Sequence, residues 1–231
     1  QRVRAGNPEA YIVGELWEEA ERWLQGDMWD ATMNYLFTSA CIGFFIGDHA
    51  DRTEVDRTNL RRTVTLDAAG FRAENDRLLN LYHRNIVDVM LNLLGSHDMA
   101  RLVTMARGDQ SALRLATLFQ MTYPGPPSIY YGDEIGLAGG HDPLNRGAFP
   151  WYDESKWDCD LLHFFQRAIA LRRSSPALRR GDYRCLYAAG QNHVHLRRLG
   201  DESVVVALNA GRSTGRIDIP LDLPDGTVLD E

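Results

Sequence analysis

The sequence predicts an α/β fold, either a parallel sheet or part of a (β/α)₈ barrel, followed by the start of an antiparallel β domain. Three observations carry this. Residues 1–181 alternate strand-like and helix-like segments about four times. After Gly181 the texture changes to short, partly alternating segments divided by Gly, Asn and Asp. A whole (β/α)₈ barrel takes roughly 250 residues, whereas residues 1–181 hold only about four units and open without a strand, inside what reads as the tail of a basic helix (Arg2, Arg4). The chain therefore reads as the later part of a longer protein.

The elements follow in order. Residues 10–13 (Ala-Tyr-Ile-Val) form a short apolar run before Gly14-Glu15, the pattern of a buried parallel strand. Residues 18–24 read as helix. Residues 30–37 (DATMNYLF) read as a second strand end or its following loop, and residues 38–46 as a buried helix. Residues 47–72, rich in Asp, Arg and Thr, read as a polar excursion between units. Leu78, Leu79, Tyr82, Ile86 and Val89 recur at helical spacing and lead into a third strand over residues 90–94. Ser111 is placed to cap a helix with Leu115, Leu118 and Phe119 on one side, stopped by Thr122-Tyr123-Pro124-Gly125-Pro126-Pro127. Residues 128–131 read as a fourth strand. Asp158 is placed to cap a last helix with Leu161, Phe164, Phe165, Ala168 and Ile169 as its apolar stripe; Arg172 and Arg173 suit its last turn, and Pro176 lies beyond. Residues 183–188, 193–198, 203–209 and 216–219 read as short strands, with no closing element visible before Asp230-Glu231.

Composition narrows the function. Hydrophobic residues make up 44% and charged residues 25%, an ordinary globular balance that excludes a disordered, collagen-like or coiled-coil chain. No apolar run is long enough to span a membrane, and Gln1-Arg2-Val3-Arg4 leads into no signal-type stretch; a cytoplasmic location is expected on that ground. The net charge of −7 argues against nucleic acid as a partner. Cys41, Cys159 and Cys185 are far apart and outside any CxxC pattern, so buried free thiols are expected and a disulfide framework or zinc site is not. Several of the 5 Trp, 9 Tyr and 8 Phe sit beside acids in loops, as a site that stacks flat apolar faces and bonds hydroxyls requires.

Three acid-bearing segments fall at or just past strand ends: Gly14-Glu15-Leu16-Trp17, Gly95-Ser96-His97-Asp98 and Tyr131-Gly132-Asp133-Glu134. The carboxyl ends of parallel strands form the rim on which sites are built, so acids from successive strands converge there. The alternative for each acid is a cap on the following helix or a partner for an arginine, and Asp133 and Glu134 read that way. Glu15, ending an apolar strand beside an indole, is expected to be poorly solvated, to have a raised pKa and to act as a general acid. Asp98 beside His97 is expected to bind sugar hydroxyls and to stabilise the positive charge of an oxocarbenium-like transition state. His141, His193 and His195 read as surface or strand histidines without metal spacing, and no metal or other cofactor is expected.

YIVGELW (11–17), MNYLF (33–37), NLLGSHDMAR (92–101) and SIYYGDEIGLAGGHDPLNR (128–146) resemble, in order and spacing, the alpha-amylase family of glycoside hydrolases, family 13. The last stretch resembles its neopullulanase, cyclomaltodextrinase and maltogenic amylase branch. The resemblance covers residues 1–181 and implies the second half of a (β/α)₈ (TIM) barrel; residues 182–231 would be the incomplete start of the family's C-terminal antiparallel β-sandwich domain. It implies that Glu15 is the general acid/base, Asp98 the transition-state-stabilising aspartate and His97 a binder of sugar hydroxyls. It also implies that Asp142 and Arg146 line the glycone side of the cleft, and that Trp17 and Tyr35 line subsites. A loop salt bridge is the alternative for Asp142 and Arg146.

The implied substrates are α-1,4-linked maltooligosaccharides, cyclodextrins, pullulan or starch. The chain departs from the family at one point: no G-x-R-x-D segment bearing the nucleophilic aspartate is present. Retention needs two carboxyls about 5–5.5 Å apart, so the chain alone is expected to be inactive, with the missing barrel half in the same or another chain as its partner. A glucan-binding or assembly fragment and a transglycosylase are the alternatives. A nucleotide-binding doubly wound fold is disfavoured, because neither G-x-G-x-x-G nor a P-loop follows any strand.

Overall fold

The computed structural model describes residues 2–219 and Leu221. Four short parallel strands form its frame: β1 (Val13–Gly14), β2 (Ala31–Thr32), β3 (Asn92–Leu93) and β4 (Pro127–Ser128). β1 pairs with β2 and β3 with β4, both in parallel. A parallel bridge between Met33 and Leu91 joins the two pairs into one arc in chain order, with the Asn34 N–H donating to the Leu91 carbonyl at 2.8 Å. The ladders are shorter than the apolar runs because side chains replace ladder bonds at their ends. Thus the Asp30 carboxylate accepts from the Ile12 N–H at 2.8 Å, and the Gln120 amide donates to the carbonyls of Asn92 (3.0 Å) and Ser128 (2.9 Å).

The principal helices are Tyr35–Cys41, continued by a π-helical turn over Ile42–Ile46, then Ala68–Leu79, Gln110–Thr122 and Cys159–Ser174. Each begins at a side chain that accepts a first-turn N–H: Asn34, Asp67, Asp109 and Asp158. Asp109, not Ser111, caps its helix, because the carboxylate already accepts from the N–H groups of Ser111 and Ala112. Their inward faces meet in an aromatic core: Phe37 and Phe71 lie 5.8 and 4.9 Å from Phe119, and all three are fully buried.

Several expectations change. Residues 18–24 form only a single 3₁₀ turn, Glu21–Trp23. Its Trp23 stacks on Trp29 (4.9 Å) after the chain reverses at Gly26, where φ is +92°. The helix expected around residues 78–89 divides into Ala68–Leu79 and Arg84–Val87. The polar excursion carries short turns at Gly47–His49, Arg52–Val55 and Asn59–Arg62. Residues 216–219 form no strand, and residues 220 and 222–231 of the expected C-terminal unit lie outside the described residues. Of the cysteines only Cys41 is buried; Cys159 is exposed and Cys185 half-buried, and all three are free.

β5 (Asp182–Ala189), β6 (Asn192–Leu199) and β7 (Glu202–Asn209) make an antiparallel sheet in that order. It packs directly on the helices. His193 meets Phe71 and Phe119 edge-on at 5.2 and 5.9 Å, and His195 meets Phe119 at 5.6 Å. Two buried arginines tie this sheet and the last long helix to the end of Gln110–Thr122. Arg172 donates to the carbonyls of Met121 (2.8 Å), Tyr123 (3.0 Å) and Gly125 (2.6 Å). Arg197 donates to those of Thr122 (2.5 Å) and Gly181 (2.8 Å). Cations suit carbonyls at a helix C-terminus; burial pushes both guanidinium pKa values down, to about 10.

The two histidines make the fold acid-sensitive. Burial, reinforced by Arg72, pushes His193 down to about 4, and burial with His193 and Arg197 pushes His195 well below its ordinary value. As pH falls from about 6.5, the unfolded imidazoles take up protons that folded His193 refuses until about 4, so stability drops across that window, and the depressed His195 adds to the drop. His193 alone accounts for up to about 3 kcal/mol. Melting temperature measured against pH should show this slope, and His195→Leu should flatten it; a variant with the parental slope refutes the assignment.

Candidate functional site

Glu15 follows β1 directly, and the Ser96-His97-Asp98 segment follows β3 through Leu94 and Gly95. Both thus lie at the carboxyl side of the arc. Each segment opens with a glycine that the packing requires. A Cβ on Gly14 would fall 2.0 Å from the Trp29 ring, and one on Gly95 would fall 2.3 Å from Asp133 Oδ2.

Glu15 is exposed, which corrects the expectation of a carboxyl sheltered by an indole. Trp17 does not cover it. The indole instead lies flat on Tyr35, with ring centroids 3.5 Å apart and planes 12° from parallel. Tyr35, expected to line a subsite, is only 1% exposed, with its ring beneath Trp17. Its hydroxyl is 3.2 Å from Glu15 Oε1 and 3.0 Å from Ser96 Oγ, which in turn accepts the Asp98 N–H at 3.2 Å. An unbroken run of hydrogen bonds therefore connects the two acid segments. Half-buried Trp17 also lines a groove of about 620 Å³ with Leu16, Glu19, Leu36, Asn59 and Arg62.

Asp98, His97, Asp142 and Arg146 come together. Arg146 reaches Asp98 Oδ1 at 3.1 Å and Asp142 Oδ1 at 2.8 Å, and its Nε donates to the His97 carbonyl at 2.9 Å. His97 Nε2 lies 3.4 Å from Asp98 Oδ1. Asp142 and Arg146 thus form the loop salt bridge weighed above, but the same guanidinium also sits on Asp98.

Two residues without an assigned role hold this loop. Arg101, 1% exposed, donates to the carbonyls of Tyr131 and Asn145, pairs with Asp133 Oδ1 at 3.1 Å, and lies over the Tyr130 ring at 4.1 Å. Asn145, fully buried, donates to the carbonyls of His97 (2.7 Å) and Met99 (2.9 Å). Burial pushes Asp133 up, to about 7, against the pull of Arg101. Ser96 and Arg101 lie inside a segment already marked by its acid, the one signal pointing to them; Asn145 adjoins Arg146. Among the described residues no group of His, Cys, Asp and Glu could hold a metal ion, and no helix is long and apolar enough to cross a membrane.

Known proteins resemble this chain in sequence and fold. The family model described as the alpha amylase catalytic domain matches residues 1–158. A cyclomaltodextrinase from Bacillus sp is 44% identical over 209 residues, which are 90% of this chain and 34% of that protein. Neopullulanase 2 from Thermoactinomyces vulgaris is 40% identical over 90% of this chain and 33% of its own length. The chain thus spans about a third of these curated relatives. The solved structure of a Nostoc punctiforme debranching enzyme superposes with a TM-score of 0.90 at 44% identity, covering 94% of this chain and 44% of that one. The parallel arc and its helices are accordingly part of a catalytic barrel domain, and the chain belongs to the alpha-amylase family of glycoside hydrolases.

Proposed function

We propose that this chain is the second half of a (β/α)₈ barrel with the start of a C-terminal β-sandwich. The parent protein would be a retaining glycoside hydrolase that cleaves α-1,4 bonds in maltooligosaccharides, cyclodextrins, pullulan or starch. The observation that carries the reading is the hydrogen-bonded run from Glu15 through Tyr35 and Ser96 to the Asp98 N–H, which links the two strand-end acid segments and supports a shared site. Similarity to a cyclomaltodextrinase and a neopullulanase supports the substrate class.

In this mechanism Glu15 protonates the leaving glycosidic oxygen and then takes a proton from the incoming water. Its exposure suits it to both exchanges. Asp98, fixed by Arg146 beside His97, binds ring hydroxyls and stabilises positive charge at the anomeric carbon. The attacking carboxylate is contributed by the other barrel half, in the same or a separate chain. Transfer to a second sugar uses the same residues.

The test is release of reducing sugar from cyclodextrin and starch. The 231-residue chain alone releases none, and the complete protein releases it readily. Release by the chain alone overturns the need for an outside carboxylate; inactivity of the complete protein on every α-glucan overturns the proposed function.

A further inference from the structure

Tyr35 and Ser96 lie between the two acid segments but offer a substrate almost no surface, being 1% and 4% exposed. Buried hydroxyls need partners, since an unsatisfied one costs on the order of 1–3 kcal/mol, and these two find theirs in each other and in the site. The chemistry of the groups settles the direction of each bond. An ionised carboxylate only accepts, so the single phenol proton points to Glu15 Oε1. Ser96 therefore donates its hydroxyl proton to the phenol oxygen, and the Ser96 oxygen accepts the Asp98 N–H.

Burial holds the Tyr35 phenol well above its ordinary pKa, against the pull of Ser96 and with the help of the Glu15 charge, so the donor keeps its proton. The Trp17 indole, 3.5 Å away, fixes the plane of the ring. Among the described residues Glu15 has no hydrogen-bond partner other than Tyr35. When Glu15 is protonated, a phenol that keeps donating to Oε1 leaves the acid proton on Oε2.

We propose that Tyr35 and Ser96 are positioning residues that clamp one oxygen of the Glu15 carboxyl, so that its acid proton is carried by the other and presented to the leaving group. This rests on Glu15 being the general acid.

Two substrates separate this role from simple structural support. Cleavage of maltotriose needs a proton on the departing sugar, whereas fluoride leaves α-maltosyl fluoride without one. kcat/KM reports the steps through bond cleavage. In the complete protein, Tyr35→Phe should lower kcat/KM for maltotriose by about 10- to 100-fold while leaving that for α-maltosyl fluoride within about threefold. Ser96→Ala should show the same pattern more weakly, and Ser96→Thr, which keeps the hydroxyl, should restore it. Equal losses on both substrates, or no loss on either, overturn the proposal. Glu15→Gln, measured alongside, must show the fluoride-sparing loss. If it does not, the assignment of Glu15 fails; if it does while Tyr35→Phe matches the parent, only the positioning role fails.

Discussion

In the complete protein, if Glu15 is the general acid proposed above, Glu15→Gln is expected to lower turnover of maltooligosaccharides by about 100- to 10,000-fold, the usual contribution of such a group, while the dissociation constant for a bound maltooligosaccharide stays within a few-fold. The amide keeps the shape of the side chain and still offers Tyr35 an acceptor at the Oε1 position, 3.2 Å from the phenol, but it has no proton to give at catalytic pH. The neighbouring groups proposed to hold sugar, with Asp98 3.1 Å from Arg146 and 3.4 Å from His97, are untouched. Turnover and equilibrium binding, measured on one preparation, check both halves of the expectation. Parental turnover in the variant shows that another group supplies the proton; loss of binding together with turnover shows that Glu15 holds substrate instead of reacting with it.

Arg101→Met destabilises the protein by about 3–5 kcal/mol, because removing one member of a buried ion pair strands the other. Asp133, 7% exposed, would be left without its guanidinium, and the carbonyls of Tyr131 and Asn145 would lose their donor. Methionine fills much of the same space, so the cost arises from lost polar contacts more than from a cavity. Arg146→Ala is the matched control. Its two carboxylate partners are about one-third to one-half exposed, and such pairs contribute about 0–1 kcal/mol. Chemical denaturation midpoints of the two variants should therefore separate clearly; similar losses for both would refute the claim that the interior arginine anchors the loop.

The difference between these arginines marks the limit of what the sequence made legible. Three of the four parallel strands stand out in the sequence, because apolar runs ending at Gly14 and around Leu93 and Ser128 mark buried backbone, while residues 30–37, which hold β2, read there as a strand end or its following loop. The strand lengths do not stand out, since side chains such as Asp30 and Gln120 take over the ladder ends. The Asp158-capped helix was read in full from its stripe at Leu161, Phe165 and Ala168. The Ser111 cap failed by two positions because both residues are good capping types and only geometry chooses between them.

Acids at strand ends stand out by local contrast; the sequence singles out Glu15 and Asp98 that way, and the structure puts both segments at the carboxyl side of the arc. The solvation of Glu15 was misjudged because an indole two residues along the chain turns toward Tyr35, which lies 20 residues from Glu15 and 61 from Ser96 in sequence. Contacts at such separations leave no periodic trace. Arg101 lies in a marked segment, but its anchoring role is silent in the sequence, since its partners stand 30 to 44 positions away.

The passage near Gly181 looks in the sequence like a boundary between two units, yet Arg172 and Arg197 weld it. Sliding the antiparallel sheet across the helices would drag the Arg197 guanidinium off the Thr122 carbonyl in a dry interior, beside the point where Arg172 holds the last long helix to the carbonyls of Met121, Tyr123 and Gly125. The sheet is thus mechanically part of the layer that carries Gln110–Thr122, and through Gln120 it shares that helix with the strands bearing the site. A change of texture along a chain is not always a seam along which the folded object can flex.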